Sequence, residues 1–99
     1  MITASQCRAA RALTEISRTM LAERSGIDEE TIAGFERQIS ELDDASVEKL
    51  QQALEAVGAL FIPENGGGIG VRLKFTRSET KRIQSLENEG GQTGEDEIP

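Results

Sequence analysis

Arg8, Arg11, Arg18 and Arg37 place guanidinium groups in the N-terminal part of the chain, and Asp28-Glu29-Glu30 sets three consecutive carboxylates among them. Guanidinium groups bind phosphate and carboxylate through paired N–H donors, so the arginines suit an anionic partner. The acids oppose such a partner over a screening length of about 10 Å. The remaining reactive inventory is sparse. There is no His and only one Cys, Cys7. A zinc site of the usual His and Cys ligands and an internal disulfide are therefore excluded. Glu15, Glu23 and the other acids are spread over helical faces, and no nucleophile sits beside a plausible base. Gly66-Gly67-Gly68-Ile69-Gly70 has the glycine content of a phosphate loop, but it lacks the following Lys-Ser/Thr and leads into a strand. The sequence predicts a protein that is not an enzyme and holds neither cofactor nor metal.

Capping residues and apolar spacing predict the elements that position these groups. Thr3 and Gln6 form a capping-box pair at the start of a helix running to Leu13. Cys7, Ala10 and Leu13 (or Thr14) recur at helical spacing, which reads Cys7 as a small buried apolar residue. Arg8 and Arg11 fall on adjacent stripes of one side. Ser17 is a good N-cap for a helix over Arg18 to Arg24, and Gly26 can take the left-handed conformation that ends it. Asp28 caps a third helix, about Glu29 to Arg37, and Glu29 and Glu30 complement its dipole. Leu21 and Ala22 are apolar in the second helix, as Ile32 and Phe35 are in the third. Two short helices joined by a tight turn are the plan of a helix-turn-helix, whose second helix enters a DNA major groove. A fourth helix, about Ala45 to Val57, follows Asp43-Asp44. It carries an apolar stripe of Val47, Leu50, Leu54 and Val57 and ends at Gly58.

Beyond Gly58 the pattern changes to that of strands. Leu60-Phe61-Ile62-Pro63 is apolar and extended in character, and Glu64 to Gly68 has the residues of a turn. Ile69, Val71, Leu73 and Phe75 alternate with Gly70, Arg72, Lys74 and Thr76. An isolated hairpin is marginal in water, so this one needs a covering surface. The expectation is a homodimer formed through Leu60, Ile62, Ile69, Val71, Leu73 and Phe75. Arg72, Lys74, Arg77, Lys81 and Arg82 form a second basic zone, read as a solvated strand face. Residues 1–58 are thus expected to form a mainly α helix-turn-helix bundle of about four helices, 59–76 a β-hairpin for dimerisation, and 77–99 a flexible acidic tail.

The chain has 99 residues, enough for one small domain, with 36% apolar residues and a net charge of −7 from 11 basic and 18 acidic side chains. Phosphate neutralisation drives nucleic-acid binding, so the bulk charge argues against general affinity for it. No apolar run approaches the ~20 residues of a membrane span, and the N-terminus lacks the pattern of a signal peptide. A cytoplasmic protein is the expectation.

Arg8 and Arg11, Ser17, Leu21-Ala22, Gly26-Ile27, Thr31-Ile32 and Phe35-Glu36-Arg37 together resemble the Xre family of lambda-repressor-like helix-turn-helix regulators. The likeness runs from about Thr3 to Val57. The continuation from Ala53 through Phe61-Ile62-Pro63-Glu64-Asn65-Gly66-Gly67-Gly68 to Leu73 resembles a subgroup with an appended β-hairpin. The resemblance implies an ion pair between Arg11 and Glu36. It implies base reading from Glu29, Glu30, Thr31 and Gly34, with Arg37 and Gln38 at the end of the same helix. Phosphate contacts are implied for Arg8, Ser17 and Arg18, where Arg18 replaces the family's usual Gln. The loop from Gln38 to Asp44 is acidic where the family often has a basic one. The implied function is a sequence-specific regulator, a repressor or autoregulator, that binds double-stranded operator DNA as a dimer. The alternative is a protein-interaction module of the same fold that has lost DNA binding, such as an antiactivator, inhibitor or antitoxin.

Overall fold

The computed structural model describes residues 1–74, which form four helices followed by a two-stranded antiparallel hairpin. The elements are α1 (Ala4–Thr14), α2 (Arg18–Ser25), α3 (Glu29–Glu36), α4 (Asp44–Ala56), β1 (Ala59–Ile62) and β2 (Gly70–Leu73). Phe75, Arg77, Lys81, Arg82 and the expected tail lie outside the described residues.

Helices of eight residues, such as α2 and α3, are unstable alone in water, so their ends must be satisfied and one face buried. Side chains do the capping. Thr3 Oγ1 accepts from the Gln6 amide at 3.1 Å, and Gln6 Oε1 accepts from the Thr3 amide at 2.9 Å, completing the capping box of α1. Ser17 Oγ accepts from the Met20 amide at 3.0 Å and Asp28 Oδ2 from the Glu30 amide at 3.1 Å. Gly26, at φ 77°, turns the chain between α2 and α3.

The end of α3 has no glycine, yet it takes the backbone shape that glycine favours. Gln38 sits at φ 60°. Its amide donates to the Phe35 carbonyl at 3.0 Å, and the Ile39 amide donates to the Gly34 carbonyl at 2.9 Å. This crossed pair of bonds is a Schellman motif with a glutamine at the left-handed position.

One apolar core joins the helices. Leu21, Ile32, Leu50, Leu54 and Val57 are fully buried in it. The hairpin pairs Ala59 with Leu73, Leu60 with Arg72, Phe61 with Val71 and Ile62 with Gly70. Alternation along the strands puts Ala59, Phe61, Val71 and Leu73 on one face. Ala59 is buried there, and Phe61 and Val71 pack on the helical core. The apolar hairpin face expected to need a second copy is therefore covered in part by the chain's own helices. Leu60 and Ile62 lie on the opposite face and are half-buried, whereas Ile69 is 46% exposed. Gln6 also holds the hairpin in place, because its Nε2 donates to the Gly70 carbonyl at 2.8 Å and the Ile62 carbonyl at 3.4 Å.

A non-glycine residue in the left-handed region is strained by about 1–2 kcal/mol. Gln38→Gly relieves that strain and loses part of the gain to unfolded-chain entropy. A stabilisation of about 0.5–1 kcal/mol is expected, read as a higher urea midpoint. A lower midpoint would show that the Gln38 side chain contributes more than its backbone costs.

Candidate functional site

Glu36 closes α3 and is fully buried. A buried carboxylate costs several kcal/mol unless it is paired and hydrogen-bonded. Arg11 of α1 meets it as a fork, with Nε to Oε2 and Nη2 to Oε1 both at 2.8 Å. Arg18, the first residue of α2, reaches Oε1 through Nε at 3.3 Å. The Cys7 thiol donates to Oε2 at 3.2 Å. Arg8 Nη1 donates to the main-chain carbonyl of Glu36, and its Nη2 donates to Ser5 Oγ at 3.2 Å. Side chains of α1 and α2 thus converge on one residue of α3.

The cluster shifts the titration of its members. Burial alone would push the Glu36 carboxyl up, but the donors Arg11, Cys7 and Arg18 outweigh it and hold the group below its usual range. The bond to Glu36 raises Arg11 against the opposing effect of burial. Burial, and then the Glu36 carboxylate, push the Cys7 thiol up to about 12. Cys7 is therefore a protonated donor at neutral pH and not a nucleophile. Three guanidinium groups against one carboxylate leave an excess of positive charge beside the start of α2. Part of it reaches solvent, since Arg8 is exposed and the Arg18 side chain is 30% accessible.

The outer face of α3 follows from what its inner face buries. Ile32 and Glu36 point inward, so at 3.6 residues per turn Glu30, Gly34 and Arg37 form the opposite line. Glu30 and Arg37 are exposed and Gly34 is half-buried. A Cβ on Gly34 would lie 2.6 Å from Ser40 Oγ, so the loop after α3 folds back against this position. Thr31 is half-buried to one side of the line, and Gln38 is exposed in the loop. Glu29 turns away, its Oε2 accepting from Thr19 Oγ1 of α2 at 3.0 Å. Asp28, Glu41, Asp43 and Asp44 are exposed around this face.

The expected site residues thus fall into groups. Arg11 and Glu36 form the buried pair. Glu30, Gly34 and Arg37 share the outward line. Arg8 and Arg18, expected at phosphates, spend part of their donors on Glu36. Ser17 uses its hydroxyl as the cap of α2. Sequence reading missed the second role of Cys7, although the signal was present. Cys7 and Arg11 are four apart on one helix, so a partner of one lies within reach of the other. Among the described residues, no three His, Cys, Asp or Glu side chains gather as metal ligands, and no helix is long and apolar enough to cross a membrane. Comparison with protein-family models and with curated proteins found no match.

Removing Arg11 strands a buried charge, so Arg11→Ala should destabilise the fold by about 3 kcal/mol. An unchanged melting temperature would contradict the role given to the pair. Glu36 is held below its ordinary value of 4.5, so its contribution is fully present above that value and is lost as pH falls through the lowered one. Acid melts of the wild type should show this loss. Glu36→Gln, already less stable at neutral pH, should lack that part of the acid dependence.

Proposed function

We propose that the chain is a sequence-specific transcriptional regulator that binds double-stranded DNA through an Xre-type helix-turn-helix, with α2 and α3 as its two helices. The observation that carries this reading is the outward line of α3, where Glu30 and Arg37 are exposed, next to a cationic start of α2. A helix N-terminus with free amides and a neighbouring arginine suits a backbone phosphate. Arg18 stands at that start, and its Nη groups have no partner among the described residues. Arg8 lies beside it. The Glu36 cluster holds α2 and α3 at one fixed angle, which a helix entering a groove needs if its neighbour is to meet the backbone. A repressor or autoregulator needs no further activity than this occupancy.

The same reading includes a dimer. Two half-sites one DNA turn apart, about 34 Å, require two copies of α3. Leu60, Ile62 and Ile69 of the hairpin remain as apolar surface for a second copy. Sedimentation should give a dimer at micromolar concentration, and Ile62→Lys should shift it to monomer. A wild-type monomer under those conditions removes the dimer from the reading.

Binding should be tight, sequence-dependent and salt-sensitive on fragments from upstream of the chain's own gene. Arg18→Ala should weaken all sequences alike and lower the salt slope by about one unit. A second reading, a protein-interaction module without DNA affinity, is favoured by the exposed acids Asp28, Glu30, Glu41, Asp43 and Asp44 around α3. Those carboxylates suit a basic protein surface. Wild-type protein with no preference for any genomic fragment at low salt would decide for this second reading.

A further inference from the structure

We propose that the tip of the hairpin is a self-modification site, at which Asn65 cyclises onto the Gly66 amide, loses ammonia and becomes aspartate or isoaspartate. The inference is independent of the DNA-binding reading. The chain has two asparagines, Asn65 and Asn88, and only Asn65 is followed by glycine. The connection from Pro63 to Ile69 is exposed throughout. A side chain on the following residue crowds the path of its backbone nitrogen to an asparagine carbonyl, and glycine has none. Gly66 sits at φ 94°, with nothing within 4 Å of the place a Cβ would take. Two hydrogen bonds complete the arrangement. The Gly66 amide donates to Glu64 Oε2 at 3.1 Å, and Asn65 Oδ1 accepts from the Gly67 amide at 3.0 Å. The attacking N–H thus faces a carboxylate, and the carbonyl under attack is already polarised by a donor.

As the Gly66 nitrogen bonds to Asn65 Cγ, its proton passes to the Glu64 carboxylate. The carbonyl electron pair moves onto Oδ1, where the Gly67 N–H stabilises it. When that pair returns, the bond from Cγ to Nδ2 breaks. Glu64 gives its proton to the departing nitrogen, ammonia leaves and the carboxylate is restored. Water then opens the cyclic imide at either carbonyl, giving aspartate or isoaspartate. Both products add a negative charge, and isoaspartate also lengthens the backbone by an atom. Gly66, Gly67 and Gly68 can absorb that atom. The register is fixed further back, by the pairing of Ile62 with Gly70 and by the Gln6 bonds to both of their carbonyls. The modified chain therefore keeps its fold.

The test is incubation of the full chain at neutral pH, followed by peptide mapping with mass spectrometry and separation of the aspartate and isoaspartate products. The reference is the same chain unfolded in guanidinium chloride, and Asn88, followed by Glu89, is an internal control. Folded wild type should modify Asn65 about tenfold faster than the unfolded chain, a modest part of what a positioned base supplies. Asn88 should stay intact over the same period. Glu64→Gln keeps an oxygen that can accept from the Gly66 amide but removes the base. It should slow the folded chain about tenfold and the unfolded chain little, and melting curves check that the variant folds. An Asn65 that reacts no faster folded than unfolded, or at the wild-type rate in folded Glu64→Gln, overturns the proposal.

Discussion

The buried carboxylate of Glu36 is the constraint on which the arrangement of the helices depends. Burying it without partners would cost more than most single interactions in a domain of this size contribute. The chain meets that cost with directional bonds from three side chains, two on α1 and one on α2. The Arg11 fork orients α1 against the end of α3. The Arg18 bond ties the start of α2 to the same point. The Cys7 thiol fills the remaining position on Oε2 with a donor small enough to sit in the core. Apolar contacts alone tolerate repacking, whereas a bidentate ion pair adds geometric specificity.

The same economy governs the hairpin. Two strands of four residues cannot stand alone. They are held by Phe61 and Val71 against the core and by one amide, Gln6. That side chain completes the cap of α1 with its oxygen and holds two hairpin carbonyls with its nitrogen. Both ends of the amide are satisfied, as burial requires. The start of α1 and the end of the hairpin are thus one structural joint.

What could be read from the sequence was local. The caps Thr3, Ser17 and Asp28 and the turn at Gly26 act within three residues of themselves, so residue type and spacing suffice to place them. The alternation from Ile69 to Leu73 gives a strand for the same reason. The ion pair of Arg11 and Glu36 is not local, and only the resemblance pointed to it. Contacts with no repeating pattern stayed hidden. Gln6 meets carbonyls of Ile62 and Gly70, far along the chain, and nothing at either position announces a donor. Thr19 and Glu29 meet only because α2 and α3 cross where they do. Gln38 defeats the usual signal of a helix end, since a left-handed residue is expected to be Gly or Asn. Val71 shows a second limit of a local reading. Its periodicity gave the strand correctly but could not say whose surface would cover it.

The net charge of −7 describes the whole chain and no single part of its surface. Screening limits each charge to about 10 Å, so a partner senses the groups near its docking point and not the total. Glu36 is removed from that count by burial, while Arg8 and the accessible part of Arg18 remain at the start of α2. Asp28 and Glu29 are partly spent on the first turn of α3 and on Thr19. What the outer line of α3 presents is one exposed carboxylate and one cation, with Ser40 of the following loop folded over the glycine between them. Under the proposed function that balance lowers affinity for random DNA, because few phosphates are neutralised, and leaves discrimination to a few directed contacts. The two readings of this protein therefore differ in how the free acids around α3 are used, and not in how the fold is held.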